Sequence, residues 1–575
     1  MKKIFIYLFI GFMAFGCTDV LDKYPLDEIT EDSYWKTSTD MELYLNQFYT
    51  KFRKLTAGWS LGVYESETNS DNMQPATPNS TLNGQRSVPA SGGGWSWGDI
   101  RKINYFIENA ENVTDGLEAD IKHYKGEGRF FRAMFYFSKV SSFGAVPWYD
   151  KVLNIESEEL YAPRIPRDQI VDKIIEDLDV AIDLMKEKSE VPEHRLHRGI
   201  ALLLKARVCL FEGTWEKYHE GTEFGVQGSD GTKYLQLAVA ATEELMQGPY
   251  GIYSTGDTEN DYWKLFNRID HSSTAEVMMW QECNPELGTG HGAQQYLNGM
   301  GGNQSGITKQ LVDQYLCADG LPISLSPMYK GDSTLLQTVE GRDPRLTQSV
   351  WVPGQLQSDA GIYFQYPTIA ESAAQNSTTG YMVRKGSTTD ASQQQSGGTS
   401  DYAKTAGIVY RYAEALLIFA EAKAELGTLS QTDLDNSINL LRARAGMPAL
   451  DLNVGFTDPN WEFPNLSPII NEIRRERRVE LALEGFRLED LRRWRAHDIF
   501  KGKRLKGARF IQGVSFPEIE NLLGGVLVDD DRYIDRDKVT MPNGYGFVVN
   551  RDYLSPIPTN ELTLNPNLVQ NPGWE

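Results

Sequence analysis

Apolar side chains recur along this chain at intervals of three and four residues. Met41, Tyr44, Leu45, Phe48, Tyr49 and Phe52 fall on one stripe and predict a helix over 41–52. A loop rich in Asn, Pro, Gly and Ser follows at 68–94. The helical period then resumes at 99–112 and at 121–142, where Phe130, Met134, Phe137 and Val140 share a face. Segments 167–185, 198–211 and 233–246 continue the series, with Pro166 before the first as a start signal and Gly213 after the second as a stop. Residues 248–406 break the pattern: short mixed segments with Gly and Pro throughout read as loops, short helices and a few strands. Val277-Met278-Met279-Trp280 within them reads as a core segment. The polar run 387–400 reads as mobile. Helices return at 408–426, 434–445 and 468–495, and the Pro- and Asn-rich end, 553–575, reads as a wrap over the body.

Long helices arriving in successive pairs predict a mainly α fold in which antiparallel helix pairs bury their stripes by stacking. Ala413, Ala415, Ala420, Ala422 and Ala424 supply the small side chains that close helix packing needs, and the stretch looks like a tetratricopeptide-type helix. The expected division is a leader at 1–16, a tether at 17–34, and a first helical part at 35–247 with a binding loop at 68–98. A loop-rich insertion lobe at 248–406 and a C-terminal helical part with its wrapping tail at 407–575 complete it.

The front end assigns a compartment. Lys2 and Lys3 precede an apolar run, 4–15, that is far shorter than the roughly 20 residues a membrane-spanning helix requires. Gly16-Cys17 at its end resembles a bacterial lipobox, with Phe15 bulkier than the strict motif has. The expectation is export, acylation of Cys17 and a lipid tether. A net charge of −22 disfavours nucleic acid as a partner. The remaining Cys209, Cys283 and Cys317 form neither a disulfide framework nor a metal site, and Cys209 reads as a buried thiol.

Three further segments carry a family resemblance: Arg474-Arg475-Glu476-Arg477-Arg478-Val479-Glu480-Leu481 running on to Trp494, Tyr410-Arg411-Tyr412-Ala413-Glu414-Ala415, and Tyr553-Leu554-Ser555-Pro556-Ile557-Pro558-Thr559-Asn560-Glu561 with Asn571-Pro572-Gly573-Trp574. With the lipobox, in this order, they resemble the RagB/SusD family of outer-membrane nutrient-binding lipoproteins of Bacteroidota. The resemblance implies a SusD-like helical fold and a TonB-dependent, SusC-like outer-membrane porin as partner. It also implies a glycan as ligand, or in some members a peptide. The dense charges of 472–484 read as scaffold, with Glu472–Arg475 and Arg477–Glu480 placed three apart to pair on a helix face.

A sugar presents a face of C–H groups and a rim of hydroxyls, which call for aromatic rings and for polar groups in loops. Gly92-Gly93-Gly94-Trp95-Ser96-Trp97-Gly98 fits that description, ahead of the helix with Asn104. The resemblance puts Trp95 and Trp97 in the aromatic platform, and Trp97, nearer the helix start, reads as the one that packs. Tyr296, among Asn284, His291, Gln294, Gln295 and Asn298, is a further candidate, as are Arg86 and Asn83 for hydroxyls. No HExxH motif, phosphate-binding glycine loop or histidine set for a metal stands out, and no cofactor is expected. A glycoside hydrolase would need two carboxylates about 5–9.5 Å apart across the sugar, and nothing in the sequence marks such a pair. The expectation is a binding protein without catalysis.

Overall fold

The computed structural model describes residues 34–58, 60–298, 304–369, 377–394, 402–516 and 526–575. The leader, Cys17 and the tether up to residue 33 lie outside them. The first predicted stripe forms helix α1, Ser38–Tyr49, burying Met41, Leu45 and Phe48. Thr37 and Asp40 close a reciprocal capping box at its start. The principal helices that follow are α2 (Gly98–Ala110), α3 (Glu118–Phe143), α4 (Arg167–Leu184), α5 (Arg198–Tyr218), α6 (Thr232–Leu245), α7 (Tyr412–Glu425), α8 (Ile438–Arg444), α9 (Pro468–Glu480), α10 (Arg487–Arg493) and α11 (Thr559–Leu564).

Each of α2 to α6 packs on its successor in turn, and α6 then receives α7 from far along the chain. The protein is mainly α, a run of stacked helix pairs of tetratricopeptide type. Ala413, Ala415, Ala420 and Ala422 are fully buried, as close helix approach demands. Cys209 is buried as well, and burial pushes its thiol up to about 12.

Three boundaries differ from the periodic reading. Gly213 does not end its helix; α5 runs through it to Tyr218. The glycine is there for contact: a Cβ on it would stand 2.8 Å from Leu235 Cγ of α6. Residues 407–411 form a strand, not the first turns of a helix. The predicted helix 468–495 divides at Leu483 and Gly485, whose φ values of 67° and 89° are left-handed.

The described strands are short: β1 (Met73–Pro75), β2 (Val277–Gln281), β3 (Ser305–Ile307), β4 (Leu356–Ser358), β5 (Ile362–Tyr363) and β6 (Gly407–Arg411). They pair antiparallel as β1 with β3, β2 with β6 and β4 with β5. Val277 to Trp280 is thus a strand of the interior, with Trp280 opposite Ile408. A second core gathers Tyr296, Leu297, Ile307 and Tyr315 with Met73 from the first part of the chain and Val479 and Leu483 from the last. The polar run expected to be mobile is packed over its described part, 387–394: Ser387 and Gln393 are buried, and Gln393 Oε1 accepts from the backbone N–H groups of Lys404 and Thr405.

Charge joins these parts. Arg345, Arg411 and Arg444 converge on Glu480 of α9 at 3.0, 2.7 and 2.6 Å, all of them buried. Glu472 and Arg475 pair as their spacing predicts, at 3.3 Å. Arg477 turns instead to Asp490 of α10, 2.9 Å away, because Glu480 is taken by arginines from three other segments. Buried groups of this kind must be paired to be tolerated.

Candidate ligand-binding site

The C-terminal wrap builds one wall of a cavity. Tyr553 to Ile557 is largely buried, and Ser555 donates its N–H to the Ser142 carbonyl at the end of α3. Thr559 and Asn560 donate theirs to Pro89 and Ala90, which docks α11 against the glycine-rich loop. Asn565 Nδ2 donates to the carbonyls of Leu160 and Ala162 and ties in a third segment.

Between these segments and the start of α2 lies a cavity of about 440 Å³. Trp95, Trp97, Tyr149 and Tyr161 supply its aromatic lining, and Arg101, Lys151 and Glu561 are its charged groups. Its position follows from the local sequence. Gly92, Gly93 and Gly94 all have positive φ, and the Gly94 position packs against the Phe143 ring. The loop therefore turns tightly and delivers both tryptophans to one place.

Trp95 is the buried member, 5% exposed, edge to face with Phe143 at 4.9 Å and with Trp97 at 5.4 Å. Trp97 is half-buried and meets Tyr149 edge to face at 5.1 Å. This reverses the sequence expectation: Trp95 packs the loop and Trp97 opens to the cavity, because Phe143 fills the face that Trp95 turns inward.

Tyr149 was not legible as a site residue, and the structure holds it firmly. Its backbone N–H donates to the Tyr136 hydroxyl at 2.6 Å, which donates back to its carbonyl at 3.0 Å. Asn104 Nδ2 donates to the carbonyls of Tyr149 and Lys151. Asn104 lines the cavity but its amide acts on the wall. Burial and the nearby Glu561 carboxylate push the Tyr149 hydroxyl up to about 12, so it stays a donor at neutral pH. Lys139 donates to the Gly94 carbonyl at 2.6 Å and lies 5.5 Å from the Trp97 ring. Burial lowers its ammonium to about 8.

The other sequence candidates lie away from this cavity. Arg86 donates to the carbonyls of Asp552 and Leu554 and sits 5.1 Å over Trp574, so it clamps the C-terminal wrap. Asn83 accepts the Gly546 N–H through Oδ1 at 3.3 Å. The returning C-terminal chain takes the Arg86 Nη atoms and Asn83 Oδ1, and neither residue lines this cavity. Tyr296 sits on a short helix, Ala293–Asn298, and is buried in the second core.

Gly94-Trp95-Ser96-Trp97-Gly98 also spells Gly-x-Ser-x-Gly, the sequence of a hydrolase nucleophile elbow. Here a glycine loop, not a strand, precedes Ser96, and no histidine lines the cavity. The elbow's geometry is absent.

Stacked helix pairs carrying an open, aromatic-walled cavity on their loops make up a helical ligand-binding scaffold. The chain belongs to the SusD family, whose model matches residues 264–574. A second model, described as starch-binding associating with outer membrane, matches residues 26–210. SusD-like protein P2 of Formosa agariphila is 24% identical, with 97% of each chain covered. A SusD-like carbohydrate binding protein of Bacteroides fragilis superposes with a TM-score of 0.71 at 23% identity, over 93% of this chain and 100% of that one. A laminarin binding SusD-like protein superposes with a TM-score of 0.59 at 19% identity, over 94% and 100%.

Proposed function

We propose that this protein captures a glycan at the outer surface of the outer membrane and delivers it to a TonB-dependent porin, held in place by acyl chains on Cys17. The observation that carries the reading is the pair Trp97 and Tyr149 in the wall of an open cavity. Aromatic rings suit the C–H face of a pyranose, while Arg101, Lys151, Glu561 and the Tyr149 hydroxyl supply donors and acceptors for its rim. Trp95 contributes by holding Trp97. The starch-binding description of the matching model and the carbohydrate- and laminarin-binding names of the structural neighbours support a sugar as cargo. The protein binds and does no chemistry.

Calorimetric titration with starch- and laminarin-derived oligosaccharides, other polysaccharides and peptides tests the reading. Saturable glycan binding that is lost in Trp97→Ala supports it. Binding of peptides with none of any glycan overturns the cargo, and release of shortened sugars overturns the absence of catalysis. For delivery, the porin should co-purify with wild-type membranes, and Cys17→Ala should release the protein from them.

A further inference from the structure

A second cavity, of about 370 Å³, lies among the segment after α1, the C-terminal half of α3, α5, β6 and α10. The chain as a whole carries a charge of −22, yet Lys51, Lys54, Arg207 and Arg492 line this cavity against a single carboxylate, Glu489. Two of the cations are answered from outside the lining. Lys51 meets Asp99 at 2.6 Å, and Arg207 is held by both oxygens of Glu414 at 2.6 and 2.7 Å.

Lys54 and Arg492 have no ion pair among the described residues, and Arg492 Nε is buried with no hydrogen-bond partner. A buried donor left unpaired is costly, and more so on a charged group. Burial lowers both cations, that of Arg492 to about 10, with Arg207 adding to the effect on Lys54 and Arg86 to that on Arg492. The more distant carboxylates of Glu484, Glu414 and Glu489 on Lys54, and of Glu489 and Asp552 on Arg492, offset it only in part. Glu489 in the lining, with Asp99 and Glu414 beside it, sets three carboxylates against the four cations. The cavity therefore holds one positive charge more than its lining and its immediate partners neutralise. Ser138 and Asn69 add polar groups to the wall, and Tyr410 adds an aromatic ring.

We propose that this cavity is an anion subsite, in which Lys54 and Arg492 take the carboxylate or sulfate group of an acidic saccharide. A monoanion matches the single excess charge, and its oxygens would accept from Arg492 Nε and from the lysine ammonium. In a protein this acidic overall, a local reversal of sign favours an anionic chain over the rest of the surface, so the subsite would also select among glycans. That the anion belongs to a saccharide rests on the glycan reading above; the anion site itself does not.

The test uses the full chain at matched ionic strength, titrated with sodium sulfate, galacturonate, galactose 6-sulfate and galactose. Sulfate and both acidic sugars should bind saturably and compete, galactose should not displace sulfate, and Lys54→Met/Arg492→Met should weaken all three anions at least about tenfold. Arg492→Lys, which keeps the charge, should retain part of the affinity. Retained binding of neutral glycan at Trp97 by the double variant reports that it is folded. Should the glycan reading fail, that neutral binding is absent while the sulfate titration still reads the anion site. No saturable binding of any anion by the wild type, or equal affinity in the double variant, overturns the proposal. Binding of sulfate with neither acidic sugar overturns the saccharide assignment.

Discussion

The rings of Trp97 and Tyr149 meet edge to face, their centroids 5.1 Å apart and their planes at 75°. The two residues come from different loops, and each loop is pinned separately: one through Phe143 and Lys139, the other through Tyr136 and Asn104. A rigid aromatic corner of this kind is in place before any ligand arrives, which lowers the ordering cost of binding.

The two tryptophans should therefore behave differently on substitution. Trp97→Ala removes a half-exposed ring and should weaken glycan binding by about 1–2 kcal/mol with little change in the thermal transition. Trp95→Ala empties a buried site and should cost about 3–5 kcal/mol of stability. Calorimetric titration and chemical denaturation of both variants separate the effects. Equal loss of stability in the two would contradict the assignment of Trp95 as the packing residue.

Lys139 makes the site sensitive to pH. Its folded value of about 8 lies below the ordinary 10.5, so between these values the unfolded chain holds a proton that the folded protein has released. Stability should rise with pH across that window, and the rise should be smaller in Lys139→Met. The cation beside Trp97 disappears over the same range, so the fluorescence of Trp97 should change with a midpoint near 8 in the wild type alone.

Acid should act through the buried pairs. Burial alone would raise the Glu421 carboxyl, but Arg493, at 2.5 and 2.8 Å, together with Arg477 and Arg474 more than offsets it and holds the group at about 2. Its contribution is complete above about 4.5 and is lost as pH falls toward 2. Glu421→Gln removes one of the two carboxylates that hold the buried Arg493, leaving it Asp490 at 2.9 Å, and should cost about 3 kcal/mol at neutral pH. Urea unfolding at pH 7 and pH 3 checks both points: the variant's deficit should shrink at the lower pH.

Gly231 and Gly213 form a second close relationship. A Cβ on Gly231 would fall on the Gly213 carbonyl, and Gly231 has φ 75°. Gly231→Ala therefore combines a backbone clash with a left-handed strain and should destabilise by more than about 1 kcal/mol. A fall in the denaturation midpoint with unchanged slope is the expected readout.

The stripes that predict α1 to α6 arise from residues three and four apart, whose relation depends only on the local helix, and they reappear with their faces buried. The C-terminal wrap is legible for a similar reason: Pro556 and Pro558 restrict the chain locally and leave it unable to continue a helix. Gly213 was misread because a glycine required by a neighbouring helix looks, in one dimension, like a glycine required by a turn. Residues 407–411 were misread because their strand exists only through pairing with 277–281.

What the sequence determined by itself is the helical class, the packing stripes, the family motifs and the tryptophan loop, since each is written in neighbouring residues. Only the tertiary structure decided that Trp97 is the more exposed of the two tryptophans in the cavity wall and Trp95 the buried one, and that Tyr149, Tyr161 and Glu561 share that wall. It also decided that Glu480 serves three arginines from distant segments. The physical reason is the same throughout. Burial and ion pairing depend on which remote segment fills the space beside a residue, and that is settled only when those segments pack together.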